Sequence, residues 1–144
     1  MKIYLAAPLF TSAERSWNKQ LEQLLIQSRH EVFLPQEKES SQRTAKALFD
    51  GDRAGLDWAD VIVAIMDGPD PDSGTSWECG YAYGKKPIIL LRTDFRSSGD
   101  RQIGPFNAML LGSADLHFHL PFATVQEAAD TLKSALAQLA DSQE

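Results

Sequence analysis

Three carboxylates, Asp52, Asp72 and Glu78, flank one short apolar segment of the chain and could carry out glycosidic-bond chemistry together. Asp52 precedes the apolar run 60–66, while Asp72 and Glu78 follow it within and after the loop sequence DGPDPDSG. When two carboxylates line a pocket, one can attack or stabilise an anomeric carbon while the other handles the proton on the leaving group. A single carboxylate is more often a solvated surface group, so the hypothesis depends on whether the fold brings these three together.

Glu78 also has a purely structural interpretation. The sequence Thr75-Ser76-Trp77-Glu78 fits the S/T-x-x-E capping box, in which the glutamate turns back to a backbone N–H at the helix start. Small residues follow Glu78, namely Cys79, Gly80, Ala82 and Gly84. They would let the helix pack close to a sheet, with the carboxylate facing a pocket. If Glu78 is the reacting group, we expect Thr75 or Ser76 to cap the helix alone.

The elements that must position these groups alternate between short apolar runs and longer segments of helical period. This alternation is typical of βαβ units and a parallel sheet. Strands are predicted at 2–7, 30–35, 60–66, 87–92 and 115–120. Helices are predicted at 12–28, at 40–59 with a weak point at Gly51, between the loop 67–74 and Gly84, at 106–111, and at 124–140. The sequence therefore predicts one three-layer α/β domain over residues 1–144, flavodoxin-like, with about five parallel strands.

A parallel sheet of this kind binds ligands in the crevice outside the carboxyl ends of its strands. The predicted strand ends are 6–8, 34–36, 66–72 and 92–94. The loop that carries Asp72 is therefore expected at the crevice. The polar segment 93–104 is predicted to be a loop beside it.

Composition excludes several function classes. The net charge of -6, from 20 acidic and 14 basic residues, disfavours binding to nucleic acid or to anionic membranes. The single cysteine, Cys79, excludes an intrachain disulfide framework and agrees with a reducing cytoplasm. No segment approaches the ~18 apolar residues of a membrane span.

Four segments, taken in their order along the chain, resemble the motifs of a known family. They are the first strand with Tyr4, GDRAGLDWADVIVAI with Asp52, DSGTSWECGYA with Asp72, Gly74 and Glu78, and FNAML with Asn107 and Met109. Together they resemble the nucleoside 2-deoxyribosyltransferases, over a length from the first strand to about Gly112. The D-x-G-x-x-x-E-x-G-x-A segment is the most specific part.

The resemblance implies a role for each matching residue of the first three segments. Glu78 corresponds to the nucleophile that forms a covalent deoxyribosyl-enzyme, and Tyr4 to the tyrosine that holds this carboxylate. Asp52 corresponds to the acid that exchanges a proton with the nucleobase. Asp72 corresponds to a further aspartate of the sugar and base pocket, and Gly74 belongs to the same motif. The substrates implied are 2′-deoxynucleosides and free nucleobases, and the reaction requires neither metal nor cofactor.

The fourth segment implies an assembly. Asn107 and Met109 correspond to residues that a neighbouring subunit lends to the site, so the resemblance implies a homo-oligomer with shared sites. Gln36, after the second strand, corresponds to a base-recognition glutamine. Phe10, in the first loop, is a candidate for stacking on the base.

Three alternatives remain open at this stage. A 2′-deoxynucleoside 5′-monophosphate N-glycosidase would direct water to the same intermediate, but such relatives have a Gly/Ser-rich first loop and a serine in place of Asn107. A phosphoribohydrolase is faintly suggested by SGTSWE, which retains one glycine of a G-G-x-G-T-x-x-E loop. A noncatalytic flavodoxin-like module could use the same crevice for a ligand or metal.

Overall fold

The sheet has five parallel strands in the order β2-β1-β3-β4-β5. The computed structural model describes residues 1–38, 44–97 and 104–142. The strands are β1 Lys2–Ala6, β2 Glu31–Phe33, β3 Val61–Ile65, β4 Ile88–Arg92 and β5 Leu116–His119. This strand order is that of the flavodoxin-like doubly wound sheet, which confirms the predicted fold class.

Helices cover both faces of the sheet. They are α1 Ser12–Gln27, α2 Ala45–Trp58, α3 Ser73–Ala82, α4 Ala108–Ser113 and α5 Val125–Asp141. Because successive residues of a strand point to opposite faces, β1 contributes Ile3 and Leu5 to a core with α1 and α5. Tyr4 and Ala6 point the other way, into a core with α2, α3 and α4. Tyr4 therefore lies on the same side of the sheet as the helices that carry Asp52 and Glu78.

Element boundaries depart from the sequence predictions at several places. The second strand ends at Phe33, because Pro35–Glu37 turns into a short 3-10 helix. The helix α2 begins at Ala45, capped by Thr44, and continues without a break through Gly51. Of the predicted start of this helix, residues 40–43 lie outside the described ranges. The helix predicted at 106–111 runs instead from Ala108 to Ser113, with Asn107 as its N-cap.

The polar loop predicted at 93–104 is described only at 93–97 and at Gly104. Within the described ranges, no helix combines the length and apolar character needed to cross a bilayer.

Candidate active site

The phenol of Tyr4 donates a hydrogen bond of 2.5 Å to Oε1 of Glu78. Tyr4 lies in β1 with no solvent exposure, and its ring stacks on Phe33 at a centroid distance of 5.3 Å. Glu78 lies in α3, 74 residues further along the chain. The carboxylate thus faces the sheet, and the tyrosine holds one of its two oxygens.

The fold places this pair close to the point where the strand order reverses. β1 pairs with β2 on one side and with β3 on the other. The chain therefore passes from β1 to one side of the sheet and then, after β2, crosses back to the other side. In sheets of this type the crevice at such a point binds ligands. Cys79, beside Glu78, is fully buried, and burial raises the pKa of its thiol to about 12, so it is not a competing nucleophile at neutral pH.

The expectation that Thr75 or Ser76 caps α3 is wrong, because Asp72 is the N-cap. Oδ2 of Asp72 accepts hydrogen bonds from the backbone N–H of Thr75 at 2.8 Å and from its hydroxyl at 3.1 Å. Asp72 satisfies the first turn, so Glu78 is not required there and its side chain reaches Tyr4. The helix consequently begins at Ser73, inside the segment 67–74 that was predicted to be a loop.

Gly74 allows this cap to form. A methyl group at position 74 would lie 3.1 Å from Oδ2 of Asp72, closer than side-chain carbons ordinarily approach. The glycine of the D-x-G motif therefore makes room for the carboxylate that begins the helix.

Asp52 and Glu78 line one cavity of about 300 Å³ between α2 and α3. Its other lining residues are Phe49, Arg53, Leu56, Gly74 and Trp77. Two of the three predicted carboxylates therefore share a concave site, with Gly74 at its wall. Within the described ranges, no group of three His, Cys, Asp or Glu side chains is arranged to hold a metal ion.

The electrostatics of the cavity favour a carboxyl group that titrates near neutrality. Burial raises the pKa of Glu78 to about 7; the hydrogen bond from Tyr4 opposes this shift, and the charges of Asp52 and Asp72 add to it. Burial also raises the pKa of Asp52. The phenol of Tyr4 has its pKa raised by burial and by the adjacent Glu78, so it remains a donor.

Replacing Tyr4 with phenylalanine is expected to move the titration of Glu78 upward, because the hydrogen bond that favours its ionised form is lost. We expect a midpoint near pH 7 in the wild-type protein and one at least about one pH unit higher in Tyr4→Phe, since a charge-assisted hydrogen bond contributes roughly 1.5–3 kcal/mol. The measurement is ¹³C NMR of side-chain carboxyl groups as a function of pH. The exposed Tyr83 supplies the control Tyr83→Phe, and an unchanged or lower midpoint in Tyr4→Phe would contradict the assignment.

Asn107 and Met109 do not line the cavity that contains Asp52 and Glu78. They line a separate groove of about 660 Å³ between α3 and α4, together with Ser76 and Tyr83. Oδ1 of Asn107 accepts a hydrogen bond from the backbone N–H of Met109 at 2.9 Å, and Met109 is 82% exposed. Neither residue lines the Glu78 cavity of its own chain.

Gln36 and Phe10, two further predicted substrate residues, have different surroundings. Gln36 is buried; its Oε1 accepts from Asn18 at 3.1 Å, and its Nε2 donates to the carbonyl of Arg15 at 2.8 Å. Both ends of this amide thus have partners within the protein. Phe10 lies in the loop between β1 and α1 and is 71% exposed.

Sequence reasoning missed the aromatic contact at the cavity wall and a buried arginine at the end of β4. Phe49 precedes Asp52 by one helical turn, a spacing that places both on one face of α2 and could have identified it. Its ring meets that of Trp77 at 5.4 Å. Arg92, at the end of β4, has no solvent exposure, a property that its position in an apolar strand does not reveal.

Comparison with known proteins agrees with this geometry. A family model described as nucleoside 2-deoxyribosyltransferase matches residues 3–109. A solved 2-deoxyribosyltransferase from the psychrotolerant bacterium Bacillus psychrosaccharolyticus is 28% identical, with a TM-score of 0.70 over 90% of each chain. A conserved protein from Enterococcus faecalis V583 is 25% identical, with a TM-score of 0.71 over 94% of this chain and 98% of that one.

A CMP N-glycosidase from Clostridium botulinum, at 19% identity, shares the fold with a TM-score of 0.65 over 92% of this chain and 98% of that one. None of the curated protein sequences compared with the chain matches it. Because the family model spans most of the chain, including Tyr4, Asp52, Asp72 and Glu78, the chain belongs to the nucleoside 2-deoxyribosyltransferase family.

Proposed function

We propose that the protein exchanges the nucleobase of 2′-deoxyribonucleosides through a covalent 2-deoxyribosyl-Glu78 intermediate. The observation that carries this proposal is the 2.5 Å hydrogen bond from Tyr4 to a carboxylate that shares a cavity with Asp52. One carboxylate is oriented to attack, and a second lies beside it to handle a proton. This division of roles is what a two-step displacement at an anomeric carbon requires.

In the first step, the free oxygen of ionised Glu78 attacks C1′ of the deoxyribose. The bond from C1′ to the base nitrogen breaks, its electron pair leaves with the base, and Asp52 donates a proton to the departing base. With a pKa of about 7, roughly half of Glu78 is ionised at neutral pH. The raised pKa of Asp52 increases its protonated fraction, which suits a proton donor.

In the second step, a nitrogen of an incoming base attacks C1′, Asp52 accepts a proton from that base, and Glu78 leaves as a carboxylate. Two displacements at one carbon retain the configuration of the sugar. Water can replace the incoming base, so slow hydrolysis is the expected side reaction. Asp72, with its Oδ2 committed to the cap of α3, is proposed to contact sugar or base through Oδ1.

The first loop favours nucleosides over 5′-monophosphates. The monophosphate N-glycosidase is the second candidate function, and the chain shares its fold with a CMP N-glycosidase. Binding a phosphate at this loop would require free backbone donors. Here the N–H groups of Phe10 and Thr11 both donate to Oε2 of Glu14, each at 2.8 Å, so a carboxylate of the chain itself already occupies these donors.

One incubation separates the two candidates. We expect the protein to convert deoxyinosine and free adenine into deoxyadenosine and hypoxanthine, as followed by liquid chromatography. We expect deoxyinosine 5′-monophosphate to react at less than about one hundredth of that rate, because the negative charge of Glu14 would repel its phosphate. Hypoxanthine release without deoxyadenosine would indicate a hydrolase, and preferential turnover of the monophosphate would indicate the N-glycosidase.

We further propose a homo-oligomer in which Asn107 and Met109 complete the site of a neighbouring copy. Exposed apolar side chains are concentrated on the layer formed by α2, α3 and α4 and their adjoining loops. They include Leu48, Phe49, Trp77, Tyr83 and Met109. An exposed cluster of this kind supports an interface.

Complementation between two inactive variants tests the shared site. We expect Glu78→Ala and Asn107→Ala each to lose most activity, and the co-expressed pair to recover about one quarter, because a random mixture gives that fraction of sites two intact contributors. Glu78→Ala co-expressed with Asp52→Asn serves as the control, since both changes affect the same chain's cavity and yield the same mixed population. Recovery no greater than in this control would refute sharing.

We place the protein in the cytoplasm, acting on small molecules. Cys79 is buried as a free thiol, which agrees with a reducing compartment. Because base exchange reuses preformed deoxynucleosides, the reaction would serve nucleotide salvage.

A further inference from the structure

Arg92 is a fully buried cation at the carboxyl end of β4. Its Nη1 donates to the carbonyl of Met66 at 2.9 Å, and its Nη2 donates to the carbonyl of Gly68 at 2.8 Å. Its Nε donates to Oδ1 of Asp94 and to the carbonyl of Arg96, both at 2.9 Å. The guanidinium therefore joins the loop after β3 to the loop after β4.

Two aspartates reinforce this junction. Oδ1 of Asp67 accepts from the backbone N–H groups of Thr93 at 2.6 Å and Asp94 at 3.1 Å. In the other direction, Oδ2 of Asp94 accepts from the N–H of Gly68 at 2.7 Å. We call Arg92, Asp67 and Asp94 the loop clamp. Each of the two loops thus both donates hydrogen bonds to the clamp and accepts them from it.

The clamp is connected to the site by a short, stiff segment. Gly68 has a φ of +119°, a conformation suited to glycine, and it directs its carbonyl to Arg92. The sequence then runs Pro69-Asp70-Pro71-Asp72, in which each proline fixes its own φ and restricts the residue before it. Asp72 is the N-cap of α3, so this segment links the clamp directly to the start of the helix, and Glu78 lies in the second turn of that helix.

We propose that the loop clamp is a positioning device that fixes the start of α3 and thereby holds the Glu78 carboxylate against Tyr4. This inference rests on the proposed function only for the expected change in kcat. Arg92 contacts neither the cavity nor Glu78, so it acts through the loop and is not a catalytic residue.

The chemistry of the clamp distinguishes it from ordinary core packing. A buried guanidinium is costly to desolvate, and removing it alone leaves its ion-pair partner, here Asp94, without its counter-charge. Its five N–H donors form a rigid fork that fixes the direction of each acceptor. A group of this kind specifies the geometry of the carbonyls that it binds, here those of the loop leading to Asp72.

The test compares Arg92→Met with Gly68→Ala. The first variant removes the fork and keeps an apolar side chain. The second leaves every clamp side chain in place but strains the loop, since a methyl group at position 68 would lie 3.2 Å from the carbonyl of Asp70. The matched control is Leu132→Ala, a fully buried site in α5 on the other face of the sheet, which lowers stability through a cavity alone.

Three readouts are taken well below each variant's melting temperature: kcat, KM for deoxyinosine, and the NMR titration midpoint of Glu78. We expect both loop variants to lose at least about tenfold in kcat with KM changed less than about threefold, and to shift the Glu78 midpoint. Leu132→Ala should keep both kcat and the midpoint. If Arg92→Met does not fold, Gly68→Ala provides the same readouts.

Two outcomes are distinguishable from each other. If the loop variants keep the wild-type kcat and Glu78 midpoint while their melting temperatures fall, the clamp contributes stability alone and the inference is overturned. If the wild-type protein catalyses no base exchange, the proposed function fails, and the shift of the Glu78 midpoint still decides whether the clamp positions the carboxylate.

Discussion

Replacing Glu78 with alanine is expected to lower base exchange between deoxyinosine and adenine by at least about 10⁴-fold, because no covalent intermediate can form without the carboxylate. Glu78→Gln should lose nearly as much, since the amide keeps the size of the side chain but is not an attacking anion. The rate of deoxyadenosine formation is measured by chromatography. If either variant kept a tenth of the wild-type rate, Glu78 would not be the nucleophile.

Glu22 supplies a matched control for this experiment. It is a buried glutamate in α1, on the opposite face of the sheet, where it pairs with Lys19 at 2.7 Å. Glu22→Gln therefore tests the loss of a buried negative charge without touching the cavity. We expect its base-exchange rate to remain within about twofold of the wild type, because Glu22 lies across the sheet from the cavity.

Replacing Asp52 with asparagine is expected to lower kcat for deoxyinosine by about 10²- to 10⁴-fold, the usual range for loss of a general acid. The loss should depend on the leaving group. The base of 7-methyl-2′-deoxyguanosine already carries a positive charge and needs no proton to depart. With that substrate, we expect Asp52→Asn to release base at a rate within about tenfold of the wild type.

The control for Asp52 is Asp50→Asn, two residues earlier on a different face of α2, where Asp50 pairs with Lys46. We expect Asp50→Asn to turn over both substrates at the wild-type rate. If Asp52→Asn lowered turnover of both substrates equally, Asp52 would hold the substrate and would not supply the proton. The leaving-group comparison thus separates proton transfer from binding.

The sheet was predictable from sequence because its strands carry a strong signal. The run DVIVAIM is apolar throughout, as a strand covered by helices on both faces must be, and β3 is buried along its whole length. The start of α3 was harder to predict. Two overlapping patterns, an aspartate at 72 and the T-x-x-E sequence from Thr75, both fit a helix start, and only packing against Tyr4 decides between them.

The site was predictable in part. The ordered motifs singled out Tyr4, Asp52 and Glu78, and the structure places Asp52 and Glu78 at one cavity, with Tyr4 hydrogen-bonded to Glu78. Local sequence could not indicate the partners of Gln36, because Asn18 and Arg15 reach it from α1. Local sequence could not identify the hydrogen bonds of Arg92 either. Several of its acceptors are backbone carbonyls of another loop, and every residue has such a carbonyl, so no residue type marks them.

The central position of β1 has a consequence for synthesis of the chain. β1 is synthesised before the other four strands of the sheet, yet one of its two neighbours is β3, which begins at Val61. Tyr4 must wait a further 74 residues for its partner in α3. A nascent chain that has not yet exposed α3 therefore carries the tyrosine without the carboxylate, and the Tyr4–Glu78 pair can form only after α3 has been synthesised. Contacts of such long sequence separation are slow to form, so the pairing of Tyr4 with Glu78 is expected to be a slow step in folding.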